Sequence, residues 1–266
     1  MKQVKLLMLL PLTLGGLVIG CKGKEVAKTE LTVFAAASLT ETMSELQSVY
    51  EAKHKDIKLV FNFDSSGTLK TQIEQGATCD LFVSAAPKQM NQLIELNMIN
   101  TDTKVDLLEN KVALAVPDGN PKNVTSLSNM ADRLKANESG FVLAMGNSDV
   151  PVGQYTQKIF TYFSINEETI NSQGHITYGG NVKAVTSTVA NAGAACGIIY
   201  QTDAKSANLT VVDTATKEMC GQVIYPAAVT ANTQYTDAAK EYLSFLQSDE
   251  AMQVFENVGF SKIVAA

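Results

Sequence analysis

The sequence has few residues that could carry nucleophilic catalysis. It contains only two histidines, and it has no Gly-x-Ser-x-Gly motif. His54 lies in a charged Lys-His-Lys run, and His175 lies in a turn-like Gln-Gly-His segment. A serine nucleophile needs a histidine base and a third group that orients the base, so a catalytic triad is not expected. We therefore predict that the chain is not an enzyme, and in particular not a serine hydrolase.

The cysteines are few and widely spaced. Beyond Cys21, near the N-terminus, only Cys79, Cys196 and Cys220 occur. This spacing is typical of neither a disulfide framework nor a zinc site, and no cofactor or protein-bound metal ion is predicted. Cys79 and Cys196 adjoin apolar runs and are expected to be buried. One pair of the three could still oxidise outside the cell.

Basic clusters are absent, and acidic residues outnumber basic ones. The chain has 27 Asp and Glu against 21 Lys and Arg, a formal charge of -6. Removal of residues 1–20, which carry two lysines and no acid, would bring the charge to about -8. Nucleic acid is therefore not an expected partner. Any bound anion would need donors aimed at it locally, since the overall field would repel it.

The N-terminal apolar run, residues 6–19, is shorter than the roughly 20 residues that span a bilayer. It follows Lys2 and Lys5 and ends just before Cys21, which predicts an export signal over residues 1–20 rather than a transmembrane anchor. Cys21 then resembles the lipidated cysteine of bacterial lipoproteins. Residues 21–30 are charged and aperiodic, as a lipidated tether would be.

Apolar runs typical of strands alternate with periodic segments typical of helices along the rest of the chain. Strands are predicted at residues 31–37, 57–63, 81–84, 111–116, 141–145, 197–200, 209–212 and 223–230. Helices are predicted at residues 39–53, 69–75, 87–96, 154–163, 182–192 and 237–247. The alternation predicts an α/β architecture with mostly parallel sheets, which bind ligands at the carboxyl ends of their strands. The runs at 111–117 and 223–230 are candidates for strands that cross between two lobes.

Ser38 stands where a predicted strand ends and a helix should begin. Three alanines precede it, and Glu41 follows three residues later. Ser-x-x-Glu is the capping-box pattern, which needs no ligand. The same junction would also offer an anion a hydroxyl and unpaired helix N–H groups. Taken alone, the segment slightly favours the capping box.

A second junction of this kind lies at residues 63–69. Ser66 follows a predicted strand and precedes a helix, so its hydroxyl is either an ordinary cap or a donor to a ligand. Gly67 would let the backbone approach a ligand closely. Asp64 would weaken anion binding by like-charge repulsion if it faced the same site.

Three further residues could supply donors. A proline at the first helical position would leave Val152 with an unpaired backbone N–H, and Val182 could present one at the start of another predicted helix. Tyr200 ends a predicted strand and could aim its hydroxyl into a cleft. The alternatives are plain loops and a half-buried tyrosine.

Five motifs in order resemble one family. They are Phe-Ala-Ala-Ala-Ser at 34–38, Ser-Ser-x-Thr-Leu at 65–69, Asp-Leu-Phe-Val-Ser-Ala at 80–85, Val-Pro-x-Gly-x-Tyr at 150–155 and Gly-Ile-Ile-Tyr at 197–200. They resemble the molybdate-binding proteins of ABC-type molybdate importers, the ModA family. The resemblance extends from residue 31 to about residue 260 and covers most of the chain.

This resemblance implies the two-lobed type II periplasmic binding protein fold, in which each lobe is a mostly parallel sheet flanked by helices. We assign residues 31–110 and 226–266 to lobe 1 and residues 111–225 to lobe 2. In such a fold the ligand lies between the lobes. The lobes are expected to close over it.

Carried over residue by residue, the family's oxyanion ligands fall on five positions. They are Ser38, Ser66, Val152, Val182 and Tyr200. The serine and tyrosine hydroxyls and the valine N–H groups would hold molybdenum only as its oxyanion. Such neutral donors suit a dianion and leave the proton of hydrogen phosphate without an acceptor. We expect Ser38 to cap its helix in the open protein and to turn to the oxyanion when the lobes close.

The resemblance also implies partners and a location. The protein would be an extracytoplasmic monomer, anchored to the cell membrane through lipidated Cys21. It would deliver molybdate or tungstate to a membrane permease driven by an ATPase. A binding protein for sulfate or phosphate, or an anion-sensing lipoprotein, are the alternatives that the sequence leaves open.

Overall fold

The computed structural model describes residues 28–263 of the 266-residue chain. The predicted export signal at residues 1–20 and the predicted lipidation site Cys21 lie outside the described residues. Strand β1 begins at Thr29 and therefore includes the last two residues of the predicted tether. They belong to the strand because Thr29 and Glu30 already pair with Ile57 and Lys58 of the neighbouring strand.

The first sheet contains strands from both ends of the described chain. Its strands are β1 (Thr29–Ala36), β2 (Ile57–Asp64), β3 (Leu81–Val83), β4 (Val105–Asn110), β10 (Val223–Val229) and β11 (Ser261–Lys262). Their order across the sheet is β11-β4-β10-β3-β1-β2. We call this sheet, with the helices packed on it, lobe 1.

The second sheet is formed by the middle of the chain. Its strands are β5 (Val112–Val116), β6 (Leu143–Gly146), β7 (Ile176–Gly179), β8 (Cys196–Tyr200) and β9 (Thr210–Thr214). Their order across the sheet is β7-β6-β8-β5-β9. We call this sheet, with its helices, lobe 2.

Both sheets are mixed, which corrects the prediction that they are mostly parallel. β1 is parallel to β2 and β3, and β6 is parallel to β7 and β8, whereas β5 and β10 run antiparallel to their neighbours. β5 follows β4 of the other sheet after Lys111 alone, and β10 likewise arrives from the other sheet. The parallel strands end at the edge that faces the other lobe. A strand that arrives from that lobe begins at this edge, so it must run the opposite way.

Helices connect most of the strands and cover the sheets. They are α1 (Thr40–Lys53), α2 (Ser66–Glu74), α3 (Pro87–Glu95), α4 (Leu127–Lys135), α5 (Pro151–Tyr162), α6 (Glu167–Ser172), α7 (Val182–Ala190), α8 (Gln201–Ser206), α9 (Lys217–Cys220), α10 (Thr236–Leu246) and α11 (Asp249–Val258). Short 3-10 turns precede α1 and β4. Apolar side chains such as Leu31, Leu114 and Phe141 are fully buried between the sheets and these helices.

Every strand and helix that hydrophobic periodicity predicted has a counterpart in the structure, so the α/β prediction is confirmed. Among the elements that it missed, β4 is the most consequential, since it carries the chain to the first crossing between the lobes. Asp106, Glu109 and Asn110 interrupt the apolar pattern of this strand. Its pairing with β10 and β11, rather than its own pattern, makes it a strand.

Candidate functional site

All five predicted ligand residues surround one small cavity between the lobes. Its lining includes Ser38, Ser66, Val152, Val182 and Tyr200, with alanines, Ser65, Val150 and Pro151 beside them. The space between the lining atoms is about 200 Å³, and part of it is open to solvent. No charged side chain belongs to this lining. The structure thus brings the five residues together, and their binding of a ligand stays a prediction.

Ser38 is buried in the 3-10 turn that precedes α1, and it caps no helix. Its Oγ lies 2.9 Å from the hydroxyl oxygen of Tyr225. The capping-box interpretation is therefore wrong for this structure. The 3-10 turn delays the start of α1 to two residues after Ser38, so Glu41 is too close to the helix start to complete the box. The carboxylate of Glu41 instead contacts Lys183 of lobe 2.

Ser66 is the first residue of α2, and its neighbour Ser65 caps that helix. Ser65 Oγ accepts a hydrogen bond of 3.1 Å from the N–H of Thr68. Ser66 is fully buried, and its Oγ accepts a hydrogen bond of 2.9 Å from the N–H of Ala85. A backbone N–H can only donate, so the Ser66 hydroxyl keeps its own proton for another acceptor.

Helix α5 begins at the cavity without a side-chain cap. Its first intrahelical bond runs from the N–H of Gln154 to the carbonyl of Val150, at 3.1 Å. The N–H groups of Val152 and Gly153 precede this bond and lack intrahelical partners. Gly153 is required by close packing, because a Cβ there would lie 2.1 Å from the carbonyl oxygen of Asn147.

Helix α7 begins at the same cavity. Asn181 caps it through Oδ1, which accepts a hydrogen bond of 3.0 Å from the N–H of Ala184. The carbonyl of Asn181 accepts the first intrahelical bond, from Val185. The N–H groups of Val182 and Lys183 are therefore left without intrahelical partners. The starts of α5 and α7 both favour negative charge in the cavity, because helix N-termini carry partial positive charge.

Tyr200 ends β8 and is only 1% exposed. Its hydroxyl has no hydrogen-bond partner in the described part of the chain. Burial, with smaller contributions from Tyr225 and Tyr155, raises the pKa of Tyr200 well above its ordinary value, so the hydroxyl stays protonated. A buried hydroxyl without a partner costs about 1–3 kcal/mol. A ligand acceptor in the cavity would remove this penalty.

Asp64 does not belong to the cavity lining, although it lies next to Ser65. Its Oδ1 accepts hydrogen bonds from the N–H of Ser65 at 2.7 Å and from Nδ2 of Asn181 at 3.1 Å. Asp64 thus connects the start of α2 in lobe 1 to the cap of α7 in lobe 2. Gly67 also faces lobe 2, because a Cβ there would lie 2.2 Å from the carbonyl oxygen of Asp149. The close approach expected at Gly67 is therefore made by the other lobe's backbone.

A cluster of three charged residues, missed by the sequence analysis, lies where α1 meets lobe 2. Lys183 Nζ lies 2.7 Å from Oε2 of Glu41 in lobe 1 and 3.1 Å from Oδ1 of Asp203 in lobe 2. The side chain of Asp203 is fully buried, and burial raises the pKa of this carboxyl to about 6 despite the nearby lysine. No sequence pattern could reveal these pairs, since Glu41 is 142 residues from Lys183.

No histidine, cysteine or carboxylate side chain is among the described residues that line the cavity. His175 lies elsewhere, with its ring nitrogens near the carbonyl of Phe141 and Oδ1 of Asn137, and His54 stacks on a tyrosine of α1. Cys79, Cys196 and Cys220 are buried free thiols. Within residues 28–263, no group of three His, Cys, Asp or Glu side chains could hold a metal ion. No helix in that range is long and apolar enough to cross a membrane.

Comparisons with known proteins point to transport binding proteins. A family model described as bacterial extracellular solute-binding protein matches residues 31–261. YvgL of Bacillus subtilis, assigned as an ABC transporter substrate-binding lipoprotein, is 35% identical to this chain. The match covers 92% of this chain and 93% of the YvgL chain. The molybdate-binding protein ModA of Escherichia coli is 30% identical over 87% of this chain and 89% of its own. A solved substrate-binding domain from Clostridium difficile, assigned to a molybdenum ABC transporter, has 30% identity and a TM-score of 0.66, covering 88% of this chain and 99% of that one.

Proposed function

Because the chain belongs to the bacterial extracellular solute-binding proteins, and among them to the ModA family, we propose that it captures molybdate or tungstate between its lobes. It would then deliver the oxyanion to the permease of an ABC importer, which an ATPase drives. The proposed ligands are the hydroxyls of Ser38, Ser66 and Tyr200 and the backbone N–H groups of Val152 and Val182.

One observation carries this proposal: the cavity between the lobes offers hydrogen-bond donors that have no partner among residues 28–263. The hydroxyl of Tyr200 is buried and unpaired among the described residues, and the Ser66 hydroxyl has its oxygen satisfied by a backbone donor. The helix starts at Val152 and Val182 add unpaired N–H groups. A tetrahedral dianion would accept all of these bonds, and bonds to a charged acceptor are roughly twice as strong as neutral ones.

The same geometry argues for an anion without a proton. No carboxylate belongs to the lining, and each serine oxygen already has one hydrogen-bonding partner in the protein. A proton on the ligand would therefore meet only neutral hydroxyl oxygens, which are weaker acceptors than a carboxylate, and this disfavours hydrogen phosphate. Discrimination against sulfate would depend on cavity size, since sulfate is also fully deprotonated but smaller.

The location and the partners complete the proposal. The predicted signal at residues 1–20 and a lipid on Cys21 would place the protein outside the cytoplasm as a membrane-anchored monomer. The lobes that would close are residues 31–110 with 226–266 and residues 111–225, except that residues 223–225 belong to lobe 1. These three residues are the start of β10 and pair with β4 of lobe 1.

Thermal unfolding of the mature chain without a tag tests the ligand. Molybdate, tungstate, sulfate and phosphate are each added in excess. A ligand present at a hundred times its Kd stabilises the folded state by about 2.7 kcal/mol. We expect a shift of this size with molybdate or tungstate. No shift with either refutes the proposal, and a larger shift with sulfate or phosphate would identify a different anion-binding protein.

A further inference from the structure

We propose that Tyr225 and Asn110 are positioning residues, which orient the hydroxyl of Ser38 so that its proton points to the bound oxyanion. This inference rests on the proposed function. Neither residue belongs to the cavity lining, and neither would touch the ligand. They form a chain of hydrogen bonds whose direction follows from the chemistry of its members.

The donor-to-acceptor direction of these hydrogen bonds is set at Asn110, the last residue of β4. Its Oδ1 accepts a hydrogen bond of 2.8 Å from the N–H of Lys111, and a backbone N–H can only donate. The orientation of the amide is therefore fixed, and Nδ2 carries both donor hydrogens. Nδ2 lies 2.9 Å from Oγ1 of Thr202 and 3.2 Å from the hydroxyl oxygen of Tyr225. Both hydrogens of Asn110 are thus used, one of them on Tyr225.

Tyr225 donates the next hydrogen bond of the chain, to Ser38. Its hydroxyl oxygen accepts from Asn110, so its single proton is available to the Oγ of Ser38, 2.9 Å away. Burial raises the pKa of Tyr225 well above its ordinary value, so this proton is retained. The opposite direction, with Ser38 as the donor, would turn the serine lone pairs toward an anion in the cavity.

Because Ser38 accepts a hydrogen bond from Tyr225, its own hydroxyl proton remains free and can point into the cavity. Hydrogen bonds in such a chain polarise one another, so donation from Tyr225 makes Ser38 a stronger donor. Ser66 has the same arrangement by a simpler route, because its Oγ accepts from the N–H of Ala85. Both serines therefore have an oxygen satisfied by a protein donor and a proton free for the ligand. At Ser66 the donor is backbone, whereas at Ser38 it is Tyr225.

A double-mutant cycle tests the proposal. The affinity for sodium molybdate is measured by calorimetry for the wild type, Tyr225→Phe, Ser38→Ala and the double variant. Loss of one hydrogen bond to Ser38 should weaken binding by about tenfold in Tyr225→Phe. In the Ser38→Ala background the same change should alter the affinity less than twofold, because no hydroxyl remains to be oriented. A merely structural role would lower the affinity equally in both backgrounds.

Tyr242→Phe is the matched control. Tyr242 is also fully buried in lobe 1, but its hydroxyl has no hydrogen-bond partner among the described residues and it is absent from the cavity lining. The affinity of the Tyr242→Phe variant for molybdate should equal that of the wild type. If Tyr225→Phe does not fold, Asn110→Ala is used in its place, since this variant removes the hydrogen bond that orients the Tyr225 hydroxyl. We expect Asn110→Ala to weaken molybdate binding only when the Ser38 hydroxyl is present.

The outcomes separate the two proposals. If the wild type binds molybdate and Tyr225→Phe binds equally well, the positioning role is refuted and the proposed function stands. An equal loss with and without the Ser38 hydroxyl also refutes the positioning role. If the wild type binds none of the four oxyanions used in thermal unfolding, the proposed function fails and the inference fails with it.

Discussion

We predict that Gly67→Ala hinders the closing of the two lobes without destabilising lobe 1, which contains this residue. Gly67 is the second residue of α2 and lies against the backbone of Asp149 in lobe 2. An added Cβ would lie 2.2 Å from the Asp149 carbonyl oxygen and 3.0 Å from its carbon. Both atoms belong to the backbone of Asp149, so no change of side-chain rotamer can relieve the clash.

The structure sets the size of the effect. Ordinary van der Waals contact begins at 3.4 Å, so the two backbones must separate by about 1.2 Å at this point. Overpacking of this kind costs about 1–3 kcal/mol. If the closed form carries the ligand, the variant should bind molybdate about 5- to 150-fold more weakly.

Without ligand, the same substitution should leave the stability of the protein unchanged or raise it slightly. When the lobes are apart the clash is absent, and alanine is favoured over glycine in a helix by up to about 1 kcal/mol. Denaturant unfolding without ligand should therefore show equal or slightly higher stability for Gly67→Ala. Calorimetry should show the weaker binding, and X-ray scattering should show a smaller contraction on addition of molybdate than in the wild type.

Gly180→Ala is the control for this prediction. It makes the same chemical change, but an added Cβ at Gly180 meets no atom within 4 Å. Its affinity should stay close to that of the wild type. Wild-type affinity and full contraction in Gly67→Ala would refute the reasoning, because they would show that the contact with Asp149 is not part of the bound form.

Three other changes test the site and the contacts beside it. Ser66→Ala should weaken molybdate binding, measured by calorimetry, by about 1.5–3 kcal/mol, and unchanged affinity would contradict a ligand role. Glu41→Gln removes a partly exposed pair with Lys183 across the lobes, so it should weaken binding up to about fivefold at low salt, and 0.5 M NaCl should abolish the difference. Asp203→Asn tests the carboxyl whose pKa burial raises from 3.8 to about 6. The folded state holds this proton more tightly than the unfolded state, so wild-type stability relative to the variant should fall by about 2 kcal/mol between pH 4 and pH 7 in urea unfolding. A difference that does not change with pH would contradict the raised pKa.

Most of the secondary structure was predictable because its causes are local. Hydrophobic periodicity located the strands that became β1, β2, β5 and β8, and the proline at the start of α5 indicated where that helix begins. The antiparallel direction of β5 and β10 was not predictable in this way. It follows from their arrival from the opposite lobe, which is a property of the whole chain's path.

The candidate site was predictable as a set of residues but not as a network. The motif resemblance indicated Ser38, Ser66 and Tyr200, and the structure places them around one cavity. Tyr225 was not found, because it lies within an apolar run that is equally typical of a core strand. Lys183 was missed for a similar reason, since a single lysine near a helix start carries no information about its distant partner.

The sequence by itself determined where strands end and helices begin, and thus which hydroxyls and N–H groups stand at helix starts. These features depend on contacts within a few residues. Only the tertiary structure decided what each hydroxyl does. Ser65 and Ser66 are adjacent, yet one caps α2 while the other bonds to Ala85, and the partner of Ser38 is 187 residues away. The direction of a hydrogen bond depends on the group that folding brings to the other side of it, and no local pattern records that group.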